Sequence, residues 1–168
     1  MKQLTDWLVY FLVRLAICLV QAISLESCHA IARLLAWVAH DVFRLRRRVV
    51  DDNLRQAFPD LSAAERRELA RRMWEHLILM GCEIAQAPRK IHETNWRHYF
   101  HFQGKREMVA YLLDQRPTVF VSGHFGNFEL SSYMMGLYGF PTYAIARPLD
   151  NPYLDRYVNQ FRSTHGQF

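Results

Sequence analysis

Cysteine is scarce here and poorly arranged for chemistry: Cys18, Cys28 and Cys82 are odd in number, far apart and in no CxxC pair. Neither a disulfide framework nor a thiolate zinc site follows, and a reducing compartment is the simplest expectation. Glycine and proline number only seven and six in 168 residues, and no repeat or low-complexity linker interrupts the chain. GxGxxG and P-loop patterns are absent, so no nucleotide-phosphate cradle is indicated. HExxH is absent too, and without a second histidine so placed the His and Glu residues give too few ligands for a metal.

What is present excludes a disordered chain. Half the residues are apolar (51%) and aromatics are frequent (14%), enough to build a core in a chain of about one-domain length. The net charge of +5 suits an anionic partner, either nucleic acid or a phospholipid surface.

The distribution of charge favours lipid. From Trp7 to Ile23 the only strongly polar residues are Arg14 and Gln21. Seventeen residues is at the short limit for a bilayer span, and a central arginine costs about 2.5 to 3.5 kcal/mol on insertion scales. A short or tilted span and an interfacial helix are equally open readings, with a soluble core helix behind them. A cleaved signal peptide fits poorly, since Asp6 offsets Lys2 and no small-residue cleavage site follows. A second amphipathic segment, Leu25 to Phe43, has Ser24 as its N-cap and ends in Arg44, Arg46, Arg47 and Arg48. Basic residues after an apolar segment mark the cytoplasmic side and favour anionic headgroups, although a solvated helix end gives the same pattern. The basic residues lack the aromatic interleaving of single-strand binders, so no nucleic-acid partner is expected.

The rest of the chain reads as helices first and α/β afterwards. Residues 1–45 form a membrane-associating segment and 46–168 an α/β domain. Arg47 to Phe58 is a helix stopped by Pro59, with Val50, Leu54, Ala57 and Phe58 on one face. Ser62 and Glu65 form a capping box that opens a helix reaching about Met80, and the segment from Gly81 to Pro88 extends a helix before an irregular stretch. The period then changes. His98 to Phe102, Thr118 to Ser122 and Thr142 to Ala146 read as strands. Helices over Gly104 to Gln115, Asn127 to Tyr138 and Asn151 to Thr164 alternate with them. This β-α-β-α-β-α order predicts a mainly parallel sheet with right-handed crossovers.

The chemistry concentrates at the end of the second strand. His124 follows the apolar run from Val119 to Val121, and Glu129 lies five residues on, where the carboxyl ends of parallel strands open on a ligand crevice. Gly123 and Gly126 let the backbone turn and approach a ligand, while Asn127 caps the next helix or holds the loop. A carboxylate on one imidazole nitrogen fixes the tautomer and leaves the other to take a proton from a substrate hydroxyl. No enzymic nucleophile is then needed. The competing reading is a hydrogen-bonded structural histidine beside a glutamate placed for the helix dipole. Arg147 opens a second polar cluster that runs through Asp150, Asn151 and Asp155, at the next strand end. Its guanidinium suits a phosphate, or an ion pair with Asp150 or Asp155; Arg162 is a weaker anion-binding candidate.

Gly123-His124-Phe125-Gly126-Asn127-Phe128-Glu129 resembles the HxxxxE motif of glycerolipid-type acyltransferases, in the form found in the bacterial lipid A biosynthesis (lauroyl and myristoyl) acyltransferase family. The amphipathic N-terminus, the Asp52 to Pro59 block followed by Leu61-Ser62 and Glu65-Arg66, and Arg147-Pro148-Leu149-Asp150-Asn151-Pro152 agree, in the expected order. The resemblance implies acyl transfer from acyl carrier protein, or from a coenzyme A thioester, to a glycolipid hydroxyl of the lipid A precursor type. It places the enzyme on the cytoplasmic face of a bacterial inner membrane, with membrane lipids as partners and neither metal nor bound cofactor. It makes His124 the general base and Glu129 its orienting carboxylate. Arg147, Asn151, Gly126, Asn127 and Arg162 fall to substrate binding or loop ordering. Members of the family are longer, so the chain reads as an N-terminal portion and its sheet as incomplete at the C-terminal end.

Overall fold

The computed structural model describes residues 2–114 and 116–168. The regular elements of these residues are helical: α1 (Lys2–Ala22), α2 (Leu25–Trp37), a π-helical turn (Val38–Val42), α3 (Arg47–Ala57), α4 (Ala63–Lys90), a 3-10 turn (Trp96–His98), α5 (Lys105–Leu113), α6 (Phe128–Leu137) and α7 (Pro152–Thr164). They form two compact units, one of Met1–Ala16 with Ala87–Phe168 and the other of Ile17–Gln86.

The expected β-α-β-α-β-α parallel sheet is not formed. Among the described residues, β pairing is confined to a parallel bridge between Thr142 and Gln167. An extended run becomes a strand only when a neighbour supplies ladder hydrogen bonds and covers its faces. Thr118 to Ser122 meets neither condition, and Val119 and Val121 are 85% and 95% exposed. Thr142 to Ala146 finds only residues 166–168: Thr142 N–H donates to the Gly166 carbonyl, Ala144 N–H to that of Phe168, and Phe168 N–H to that of Thr142. The third expected strand, His98 to Phe102, begins inside the 3-10 turn, whose Trp96 is buried beneath the cations of Arg97 and Lys105. The helix expected over Gly104 to Gln115 stands as α5; Gln115 itself lies outside the described residues.

Helix placement follows the local signals. Ser24 caps α2 by accepting from Ser27 N–H at 3.1 Å, and Ser62 and Glu65 cap α4 reciprocally through Ser62 Oγ and the Glu65 carboxylate. α4 runs ten residues past Met80 to Lys90, so Gly81 to Pro88 does continue the helix. α1 is long and apolar enough to cross a membrane, at about 30 Å, and none of its residues is buried. Leu4, Leu8, Phe11, Leu12, Leu15 and Leu19 face outward along it.

In the unit of residues 17–86, α2 buries Cys28, Ala32 and Ala36 at four-residue spacing, small side chains that permit close helix approach. Gln86, nearly fully buried, donates from Nε2 to the carbonyls of Val20 (2.9 Å) and Ile23 (3.0 Å) and to Cys28 Sγ (3.3 Å). Those carbonyls lie where α1 ends, and that of Val20 also accepts from Ile23 N–H at 3.4 Å. Gln21 Nε2 returns a bond to the Ala85 carbonyl at 2.8 Å. Burial and the neighbouring Cys28 push the Cys82 thiol up to about 11, which makes it a packing group rather than a nucleophile. Gln86→Leu keeps the volume and strips the side-chain donor from these part-buried acceptors. The expected cost is about 2 to 3 kcal/mol, read as a lower urea midpoint with unchanged slope; an unchanged midpoint contradicts the role.

Candidate active site

The His124 segment belongs to the unit built from residues 1–16 and 87–168. Gly126 adopts a left-handed φ of +61° that an L side chain resists, and this turn delivers the chain to α6. Asn127 then caps α6, with Oδ1 accepting from Leu130 N–H at 3.4 Å. His124 is exposed and its ring lies edge-on to Phe128, centroids 4.4 Å apart. Phe125 beside it is 94% exposed.

Glu129 sits in the first turn of α6, where the helix dipole favours a carboxylate, and Arg162 in the last turn of α7, where it favours a cation. The two form a fork: Arg162 Nε donates to Glu129 Oε2 at 3.2 Å, and Arg162 Nη2 to Glu129 Oε1. Their side chains are only 19% and 23% exposed, so the pair is shielded and its geometry is bidentate. Among the described residues, Glu129 therefore bonds Arg162 and not the His124 imidazole. Sequence reading paired His124 with Glu129 and treated Arg162 as a separate anion-binding candidate. No spacing encodes a contact across 33 residues; the one available signal was an acid at one helix start and a base at another helix end.

The packing beneath the pair is tight. Tyr133, one helical turn past Glu129 on α6, donates its hydroxyl to the Ile91 carbonyl at 3.0 Å and stacks on Phe161. Burial pushes its phenol up. A Cβ at Gly136 would lie 1.7 Å from the His165 carbonyl oxygen, so only glycine lets the ends of α6 and α7 meet.

The second polar cluster resolves into separate jobs. Arg147 pairs with Asp150 at 3.2 Å, both almost fully exposed, while Asp155 accepts from Leu149 N–H at 2.8 Å. Asn151 caps α7, accepting from Tyr153 N–H (3.0 Å) and Leu154 N–H (3.2 Å), and its Nδ2 donates to the Asp6 carbonyl at 2.8 Å. Arg14, the cation inside the apolar run, lies 4.5 Å from the Tyr157 ring centroid of α7. That contact offsets part of what an arginine costs in an apolar helix. Arg162 also lines an open cleft of about 740 Å³ with Ala144, Ala146, Arg156 and Gln160. His124, Arg147 and Asn151 are not among the cleft's lining residues. Among the described residues, no group of three His, Cys, Asp or Glu side chains converges as a metal site.

Over residues 1–167 the chain matches the family described as bacterial lipid A biosynthesis acyltransferase. No curated protein and no solved structure matches it.

Arg162→Met tests the fork. It leaves a shielded carboxylate without a partner, for an expected loss of about 2 kcal/mol in chemical denaturation, discounted from a fully buried pair for its residual exposure. The Glu129→Leu, Arg162→Met double variant regains part of that loss, and additive losses contradict the coupling.

Proposed function

Since this chain belongs to the bacterial lipid A biosynthesis acyltransferase family, a family of lipid acyltransferases, we propose that it carries the acyl-transfer base of such an enzyme on the His124 segment. The observation that carries this reading is the family match across the chain, joined to an accessible histidine five residues before a glutamate that opens a helix. His124 takes the proton from an acceptor hydroxyl as its oxygen attacks the thioester carbonyl carbon. The carbon–sulfur bond breaks, the imidazolium returns the proton to the departing thiol, and an ester remains. The donor is an acyl carrier protein or coenzyme A thioester, and the acceptor a glycolipid of the lipid A precursor type. Neither a metal nor a bound cofactor enters this scheme.

Glu129 stabilises the imidazolium, with Arg162 fixing the carboxylate's position. On this reading the Arg162 fork is a second layer that orients the acid, as outer partners orient the ligands of other sites. Gly126 and Asn127 shape the approach to the acceptor, and Arg147, once released from its exposed pair with Asp150, contacts an anionic part of the substrate. α1 places the enzyme at the cytoplasmic face of the inner membrane.

One observation favours a second reading. Glu129 bonds Arg162 while His124 stands on an exposed segment with Val119, Val121 and Phe125 in solvent, which also suits a membrane-binding or interaction module without acyl transfer. Labelled acyl carrier protein incubated with the purified chain and a bacterial lipid extract separates the two. The acyltransferase reading predicts labelled lipid ester, lost by about 100-fold or more in His124→Ala with an unchanged melting midpoint, because the side chain is exposed. Absence of wild-type transfer, or full transfer by the variant, contradicts it.

A further inference from the structure

The unit of residues 17–86 holds a feature that acyl transfer does not use. A cavity of about 180 Å³ lies between α3 and α4, lined by Arg47, Arg55, Arg66 and Arg67 together with His40 and Trp74. Asp51 is the one carboxylate in its wall. Asp51 already serves two of the four cations, Arg55 at 2.7 Å and Arg66 at 2.9 Å, and the Arg66 hydrogen bond holds its carboxyl below the ordinary range. Among the described residues, Arg47 and Arg67 enter no ion pair.

The surroundings of the cavity suit an anion. Trp74 lines the cavity, while its indole N–H is closed off from solvent-sized space and has no acceptor. α3 begins at the cavity wall with Arg47, and its N-cap, Arg46, makes no side-chain capping bond. Arg47 and Arg48 occupy its first turn, which holds no acid, so cations sit at the positive end of a helix dipole. Arg44 and Arg46 both take left-handed backbone angles, φ 49° and 50°, which L side chains avoid. Arg47 N–H already bonds the Arg44 carbonyl at 3.2 Å, so a tetrahedral oxyanion here would meet chiefly the guanidinium groups and the remaining first-turn N–H donors.

We propose that this cavity binds a phosphate group, with Arg47 and Arg67 pairing its oxygens and the α3 N-terminus contributing backbone donors. The volume accommodates several waters at about 30 Å³ each, ample for one phosphate. His40 faces the same space, its Nδ1 3.1 Å from Asp41 Oδ1. Val42 and Phe43, exposed just ahead of the arginines, give the segment an apolar lip. The phosphate comes either from a phospholipid headgroup or from a soluble phosphate.

The indole N–H of Trp74 is a reporter for this site alone. The full chain, labelled with nitrogen-15 in non-ionic detergent, is titrated at constant ionic strength with inorganic phosphate, and separately with dihexanoyl phosphatidic acid against dihexanoyl phosphatidylcholine. Trp74→Phe assigns the resonance. A saturable shift with inorganic phosphate supports the proposal with a soluble ligand. A shift with phosphatidic acid alone supports it with a lipid headgroup. Arg47→Ala with Arg67→Ala weakens either response by about 10-fold or more, and Arg46→Gly, which relieves the backbone while removing a charge, weakens it without lowering the melting midpoint. No shift with any phosphate, equal shifts with chloride, or an undiminished shift in the double variant overturns it. His124→Ala leaves the titration unchanged, so failure of the acyl-transfer reading and failure of this one are distinguishable.

Discussion

The fork between Glu129 and Arg162 is the constraint on which the candidate site depends. It joins the start of α6 to the end of α7, each charge at the helix terminus its dipole favours, and the Gly136–His165 approach and the Tyr133–Phe161 stack close the space behind it. His124 enters α6 through the Gly126 turn, five residues ahead of the glutamate. Whatever fixes Glu129 therefore fixes the place where the histidine can meet a carboxylate. A shielded ion pair gives little net stability over an apolar pair of the same shape. On the proposed acyl-transfer reading, its value lies in positioning an acid whose remaining oxygen lone pairs stay available to a neighbour.

Helices were legible in the sequence because their signals are local. The Ser62–Glu65 box, the Ser24 cap and the Asn127 and Asn151 starts each depend on residues within one turn, and each stands where the side-chain pattern placed it. The sheet was misread for the opposite reason. Val119 to Val121 and Tyr143 to Ala146 have strand-like composition, but a strand is a relation between segments, and composition does not supply the partner. With no ladder beside the first run and only residues 166–168 beside the second, both remain extended and exposed.

The site shows the same division. Asn151, expected to order a loop or bind substrate, caps α7 and ties it to Asp6, and Arg147 takes the local Asp150 partner that stood as one of its alternatives. Arg162 meets a glutamate 33 residues away, a pairing that charge and helix position allow but do not single out. In the other unit, the Asp52 to Pro59 block that helped identify the family flanks Asp51 and includes Arg55. Arg55 pairs with Asp51 in the cavity wall.

The central claim is that Glu129 orients His124 for proton transfer rather than merely holding α6 to α7. Acyl-transfer rate and folded fraction measured together on Glu129→Gln test it most directly, since the amide keeps the size and removes the charge. The account predicts a rate loss of about 100-fold or more in protein that remains folded by near-ultraviolet circular dichroism. A rate that falls only in proportion to the folded fraction contradicts it.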